Sequence, residues 1–277
     1  MNEKDFVIST ILECKDEIDR QINSSTVAMI MVLKVKNLIF YDNSKNHDDY
    51  FMKVKNVASS LQKANEHYRK YIIEERRFLD EYRDKCMSIP DANTHSSTTA
   101  VSLSTELDGF LSHFKAGLDT LATTLNPLLG LNLNGWHKKD NKSGLLVIRT
   151  LERNLGDSLK SGASHLIEYI QKNMDWVTYI VDLRDKVIHH GGLKRITDIS
   201  FNFRDKNVTP QIIIHPSGSC ETVSDFMLRT LNEAIEYFNT ILILSLEITV
   251  NGMSIIKNKE GELMPYQWAI KIDKLPE

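Results

Sequence analysis

Leu103, Leu107, Phe110, Phe114, Leu118, Leu121, Leu125 and Leu128 recur at spacings of three and four. That spacing draws one apolar face along a helix of about seven turns. A face so long has to be buried against other helices, which commits the chain to a mainly α, bundle-like fold. Pro127 and Gly130 are positioned to end this helix. A second long stripe precedes it. Val54, Val57, Leu61, Ala64, Tyr68, Tyr71, Phe78 and Tyr82 alternate three and four apart, broken only at Glu75, and the helix is expected to begin near Asp49. About four heptads of this kind suit either a coiled-coil-like antiparallel or intersubunit contact, or a long helix on the outside of a bundle.

Further helices are expected over 4–22 and 25–41 (two helices, or one bent at Asn23-Ser24-Ser25), 145–154, 158–173 and 221–249, with a separate helix starting at Met174-Asp175-Trp176. Trp176, Ile180, Leu183 and Val187 form the inward stripe of that last one. Residues 88–100, with Pro90, Asp91, Asn93 and a Ser/Thr run, read as a linker. They divide a helical N-terminal extension, 1–95, from a helical bundle over 96–250. Residues 195–203 and 210–215 carry apolar residues (Ile199, Phe201, Phe203; Ile212, Ile213, Ile214) around Asp205-Lys206-Asn207. They read as a β-hairpin inserted between helices. The tail, 251–277, is expected to close a small hairpin of Ser254–Lys257 against Gln267–Ile272.

Bulk properties narrow the function. With 277 residues and 42% hydrophobic composition the chain can bury a sizeable core. Its formal net charge of −3 offers no global attraction for nucleic acid, so any RNA contact has to come from a local patch. The loop from Leu131 to Gly144, with Lys138, Lys139 and Lys142, is such a patch, or else a solvated loop. Cys14, Cys86 and Cys220 lack metal or redox spacing and read as reduced cytoplasmic thiols. The N-terminus does not look like a signal peptide, and Lys34 and Lys36 interrupt the apolar run 25–41, so no membrane span is expected. No HExxH, zinc set, P-loop or dinucleotide-binding glycine pattern stands in the chain, so neither metal nor cofactor is expected. Glu74-Glu75-Arg76-Arg77 reads as a solvated helix face.

The chemistry concentrates in Leu183-Arg184-Asp185-Lys186-Val187-Ile188-His189-His190-Gly191-Gly192. Arginine presents a permanent, planar fork for phosphate oxygens. Histidine moves protons near neutral pH. Asp185 is placed to orient either of them, and the paired glycines to stop the helix. Arg184 and His189 lie about 140° apart on a straight helix, so one chain converges them only if the helix end unwinds. His189 shares a face with Asp185, whereas His190 lies nearer the Trp176–Val187 stripe. His189 is therefore preferred as the acting histidine, with His190 as second choice. The bland alternative is an arginine paired with a neighbouring carboxylate and two histidines favoured by the helix dipole.

In an almost all-helical chain this segment resembles the HEPN superfamily, whose signature is Arg, a polar residue and His after four to six intervening positions. Arg184, Asp185 and His189 match it at four, and His190 matches the variant at five. The likeness is specific over 184–190 and extends by helix pattern over roughly 97–250. It implies a helical bundle that usually dimerises and sets two motifs across a shared cleft. It further implies metal-independent RNA cleavage, as in toxin–antitoxin and phage-defence systems, in which the 2′-hydroxyl attacks phosphorus and leaves a 2′,3′-cyclic phosphate. Other members only bind nucleotides or a partner such as an antitoxin or nucleotidyltransferase. A structural helical assembly protein using the 54–82 stripe is the remaining alternative.

Overall fold

The structure is a computed structural model that describes residues 16–19, 21–22, 44–89, 95–155, 157–190, 196–249, 253–255 and 270–272. The fold is mainly helical. The long helices are α1 (Ser44–Met87), α2 (Val101–Leu129), α4 (Asp157–His190) and α5 (Val223–Thr249), with a short α3 (Leu145–Asn154) between α2 and α4. Short strands fill the connections: β1 (His95–Thr98), β2 (Lys138–Lys139), β3 (Lys142–Ser143), β4 (Ile199–Asn202), β5 (Asn207–Thr209), β6 (Ile212–Ile214) and β7 (Cys220–Thr222). Two more, β8 (Met253–Ile255) and β9 (Ile270–Ile272), follow α5. Among the described residues no helix is long and apolar enough to cross a membrane.

The chain divides into two compact units, one of residues 1–62, 114–181 and 234–277, the other of 63–113 and 182–233. Each of the four long helices contributes a segment to both. In the first unit an aromatic cluster forms the centre. Tyr237 stands edge-on to Trp136 and Trp176, with centroids 5.9 and 5.4 Å away, and is stacked on Tyr169 at 5.7 Å. Phe114 joins through Trp176 and Phe238. Aromatic pairs in such offset and T-shaped arrangements add to the gain from burial itself. Gly117 is required here, because a Cβ would come within 2.8 Å of the Phe238 ring.

In the second unit, Leu103, Leu107, Phe110 and Leu111 of α2, Tyr71 of α1, Phe226 and Leu231 of α5, and Ile199, Phe201 and Ile213 of the strands are buried. β1, β4 and β5 form an antiparallel sheet in that order, with Ser96 opposite Phe201 and Phe201 opposite Val208. The β4–β5 turn is held by Asn202, whose Oδ1 accepts from the Arg204 amide at 3.0 Å, and Lys206 takes the left-handed conformation at φ 53°. Thr222 caps α5 by accepting from the Asp225 amide at 3.1 Å.

Several expectations hold. The α2 stripe is buried at every expected position except Leu128, and α3 spans the expected 145–154. The tail hairpin pairs Met253 with Ile272 and Ile255 with Ile270. The 54–82 stripe is used within the chain: Val54, Val57, Leu61, Ala64 and Tyr71 are buried, and Tyr82 donates to Ser96 Oγ of β1 at 2.8 Å. It is thus a core face, not an exposed seam.

Other expectations need correction. α1 begins at Ser44, ahead of Asp49. Pro127 lies inside α2, which Gly130 ends in the left-handed conformation at φ 64°. Residues 95–98, read as linker, are an edge strand paired to β4. The single hairpin expected at 195–215 is two, β4 with β5 and β6 with β7, the second turning through Gly218 at φ 86°. The helices expected at 158–173 and from 174 are one, α4. Asn173 does not stop it: Nδ2 donates to the Tyr169 carbonyl at 2.9 Å and Oδ1 accepts from Trp176 Nε1 at 2.8 Å. The helices expected at 4–22 and 25–41 lie outside the described residues, apart from 16–19 and 21–22.

Glu75 also departs from expectation, being buried where a solvated face was read. Its Oε1 is enclosed without a hydrogen-bond partner among the described residues. Burial raises its pKa, opposed by hydrogen bonds from Ser224 and Tyr71 and reinforced by the Asp225 charge. The folded chain therefore binds the Glu75 proton more tightly than the unfolded chain. Its favourable contribution is complete below the ordinary carboxyl range and is lost as pH rises through the raised value. Glu75→Gln should gain stability over wild type in urea unfolding at about pH 7.5, with the gain shrinking towards about pH 4.5. A difference independent of pH would contradict this.

Candidate nucleic-acid site

The residues expected to carry the chemistry are set out by α4. Ala163, Leu166, Ile170, Met174, Val177, Ile180 and Val181 are buried, so one inward stripe runs through the helix without a phase break. Arg184 stands seven residues after Val177 and continues the row Ala163, Ile170, Val177. It consequently reaches solvent only in part, with 29% of its side chain exposed.

The guanidinium has few partners. Nη1 donates to Asp185 Oδ1 at 3.2 Å, a long contact between adjacent residues. Nε is buried and has no hydrogen-bond partner among the described residues. A buried donor in this condition costs about 1–3 kcal/mol. The part of the guanidinium that remains exposed keeps the planar array of donors that suits phosphate oxygens.

His189 and His190 occupy the last turn of α4, which stays helical to His190; their side chains and Gly191-Gly192 lie outside the described residues. Position 189 extends the row of Asp182 and Asp185, neither of them buried, while position 190 falls seven after the buried Leu183. Because α4 does not unwind before His190, positions 184 and 189 remain about 140° apart around its axis.

Lys138, Lys139 and Lys142 belong to the other compact unit from Arg184 and Asp185. They stand on the β2–β3 ribbon, where Lys139 lies opposite Lys142 and Lys138 opposite Ser143. Asp140 and Asn141 make its turn with φ of 51° and 59°, the left-handed pair that a tight hairpin requires. Asp140 accepts from Arg149 of α3 at 2.6 Å.

The loop bearing the ribbon is firmly held. Asn126 of α2 donates to the Leu133 carbonyl at 2.7 Å and accepts its amide at 2.8 Å. Asp119 accepts the Trp136 amide at 2.7 Å, and Trp136 is fully buried. The loop's length is thus explained by an anchored apolar strap that raises a short basic ribbon. Sequence reasoning placed the lysines but missed these anchors, whose signal was Trp136 among polar residues.

Two polar constellations escaped the sequence reading. His215 Nε2 lies 2.7 Å from Glu221 Oε1, which also accepts from Arg229 at 2.6 Å; Arg229 donates to Glu233 as well. This arginine is saturated and ties the β6–β7 hairpin to α5. The other joins His67, Glu106 and His113. Among the described residues no three His, Cys, Asp or Glu side chains stand together as a metal-holding group.

The contrast between saturated Arg229 and under-partnered Arg184 has a stability consequence. Arg184→Met keeps the apolar stem and removes the buried unpaired donor, so it should leave stability unchanged or raise it by about 1 kcal/mol in denaturant unfolding. A loss above about 2 kcal/mol would assign Arg184 a structural role. Searches for likeness to known proteins found no matching family model, curated protein or solved structure.

Proposed function

We propose that this chain is a HEPN-like, metal-independent endoribonuclease of the toxin or phage-defence kind, working as a cytoplasmic homodimer. The observation that carries the reading is Arg184: a part-exposed guanidinium whose buried Nε lacks an acceptor among the described residues, two turns or less from two histidines at the end of α4. Arg184 receives the charge that builds on phosphorus when the 2′-hydroxyl attacks. His189 transfers protons, taking one from the 2′-hydroxyl or giving one to the leaving 5′-oxygen, with His190 as second choice. Asp185 orients one of these groups. Lys138, Lys139 and Lys142 contact RNA phosphates.

The spread of positions 184 and 189 around α4 leaves one chain short of a converged set, so a second motif from a partner copy completes the site. The same spread favours a second reading, a non-catalytic module that binds a nucleotide or a partner such as an antitoxin or nucleotidyltransferase.

Labelled RNA incubated with purified protein in excess chelator tests the assignment. Arg184→Ala should lose about 100-fold or more of the cleavage rate, and Arg184→Lys should also be impaired because an ammonium cannot reproduce the fork. His189→Ala should lose more than His190→Ala, with circular dichroism unchanged. Loss in His190→Ala alone would shift the functional spacing to five. No cleavage by a well-folded dimer would favour the binding module.

A further inference from the structure

His67 of α1 and His113 of α2 lie with ring centroids 5.3 Å apart and planes 23° from parallel. Glu106, seven residues before His113 on α2, meets Nδ1 of His67 at 2.7 Å. Gly109 lies between them along α2. A Cβ there would run into Nδ1, Cε1 and Nε2 of His67, so the imidazole is seated directly on the helix backbone. Glu106, Gly109 and His113 share one face of α2 by their three- and four-residue spacing. His67 retains 24% and Glu106 22% side-chain exposure, enough for proton exchange with solvent.

We propose that His67, Glu106 and His113 form a proton-operated latch between α1 and α2, closed while His113 is neutral and loosened when His113 takes up a proton. The inference is independent of the proposed ribonuclease activity. The Glu106 carboxylate is engaged by Nδ1 of His67. A proton on His113 places positive charge at stacking distance from the His67 ring, where that carboxylate is already engaged.

The groups acting on His113 reinforce this asymmetry. Burial holds its pKa below the ordinary histidine range, and the charges of His67 and Lys63 lower it further, while Glu66 works in the opposite direction. A depressed value means that the folded state favours neutral His113. The stability this gives is complete above the ordinary histidine range and is lost as pH falls through the depressed value. The contact between residues 63–67 and 106–113 should therefore weaken on mild acidification while the rest of the fold persists.

Amide hydrogen exchange on the full chain tests the latch, comparing about pH 7.5 with about pH 5.5 after correction for intrinsic chemistry. Wild type should lose about tenfold protection at 63–67 and 106–113 at the lower pH. His113→Gln, which keeps a polar side chain but takes no proton, should show equal protection at both. A second readout is the histidine proton titration by nuclear magnetic resonance, in which His67→Gln should move His113 up towards its ordinary range. Unchanged wild-type protection, equal loosening in His113→Gln, or a His113 titration indifferent to His67→Gln would each overturn the proposal.

Discussion

The unbroken apolar stripe of α4 is the constraint on which the candidate site depends. Ala163, Ile170 and Val177 recur every seven residues and are all buried. The same step places Arg184 on the inward row, half-withdrawn from solvent, and leaves position 189 with Asp182 and Asp185 on a different side. A helix broken at Asn173 would have freed the two registers from each other. Instead Asn173 spends its side chain on Tyr169 and Trp176 within the helix, and the packing of the first half dictates how the motif is presented.

Hydrogen-bonded polar side chains hold much of the scaffold together. Asn126 and Asp119 are satisfied by backbone amides and hold the Trp136 strap in place. Arg229 is satisfied by two glutamates and secures a hairpin. Among the described residues Arg184 Nε and Glu75 Oε1 are buried without a hydrogen-bond partner, as are Trp136 Nε1, Ser143 Oγ, Thr230 Oγ1 and Tyr237 Oη. Satisfied networks contribute rigidity, whereas an unsatisfied donor or acceptor costs stability and needs another reason to persist. For Glu75, burial raises the carboxyl pKa and so favours the protonated form. For Arg184 we propose that the reason lies in binding phosphate.

Helix positions were legible in the sequence wherever packing sets the period. The stripe from Leu103 to Leu125 came directly from spacing, and Leu145–Asn154 and the tail hairpin fell where they were expected. The strands were not legible where their residues carry little apolar alternation. His95–Thr98, Asn207–Thr209 and Cys220–Thr222 are short and largely polar, and cross-strand pairing and turn geometry create them. The Arg184–His190 motif was visible as a local string, because its members share one helix turn or two. The His67 latch was not, since His67 and Glu106 are separated by 39 residues and meet only through helix packing.

The central claim is that Arg184 and its neighbouring histidine direct RNA to cleave itself. The chemical form of the product ends tests this most directly. Purified protein and a defined oligoribonucleotide in excess chelator should give 2′,3′-cyclic phosphate and 5′-hydroxyl ends, resolved by mass spectrometry. A substrate with a 2′-deoxy residue at the cut position should be refractory. Production of 3′-hydroxyl and 5′-phosphate ends, or activity restored only by magnesium or manganese, would contradict the account.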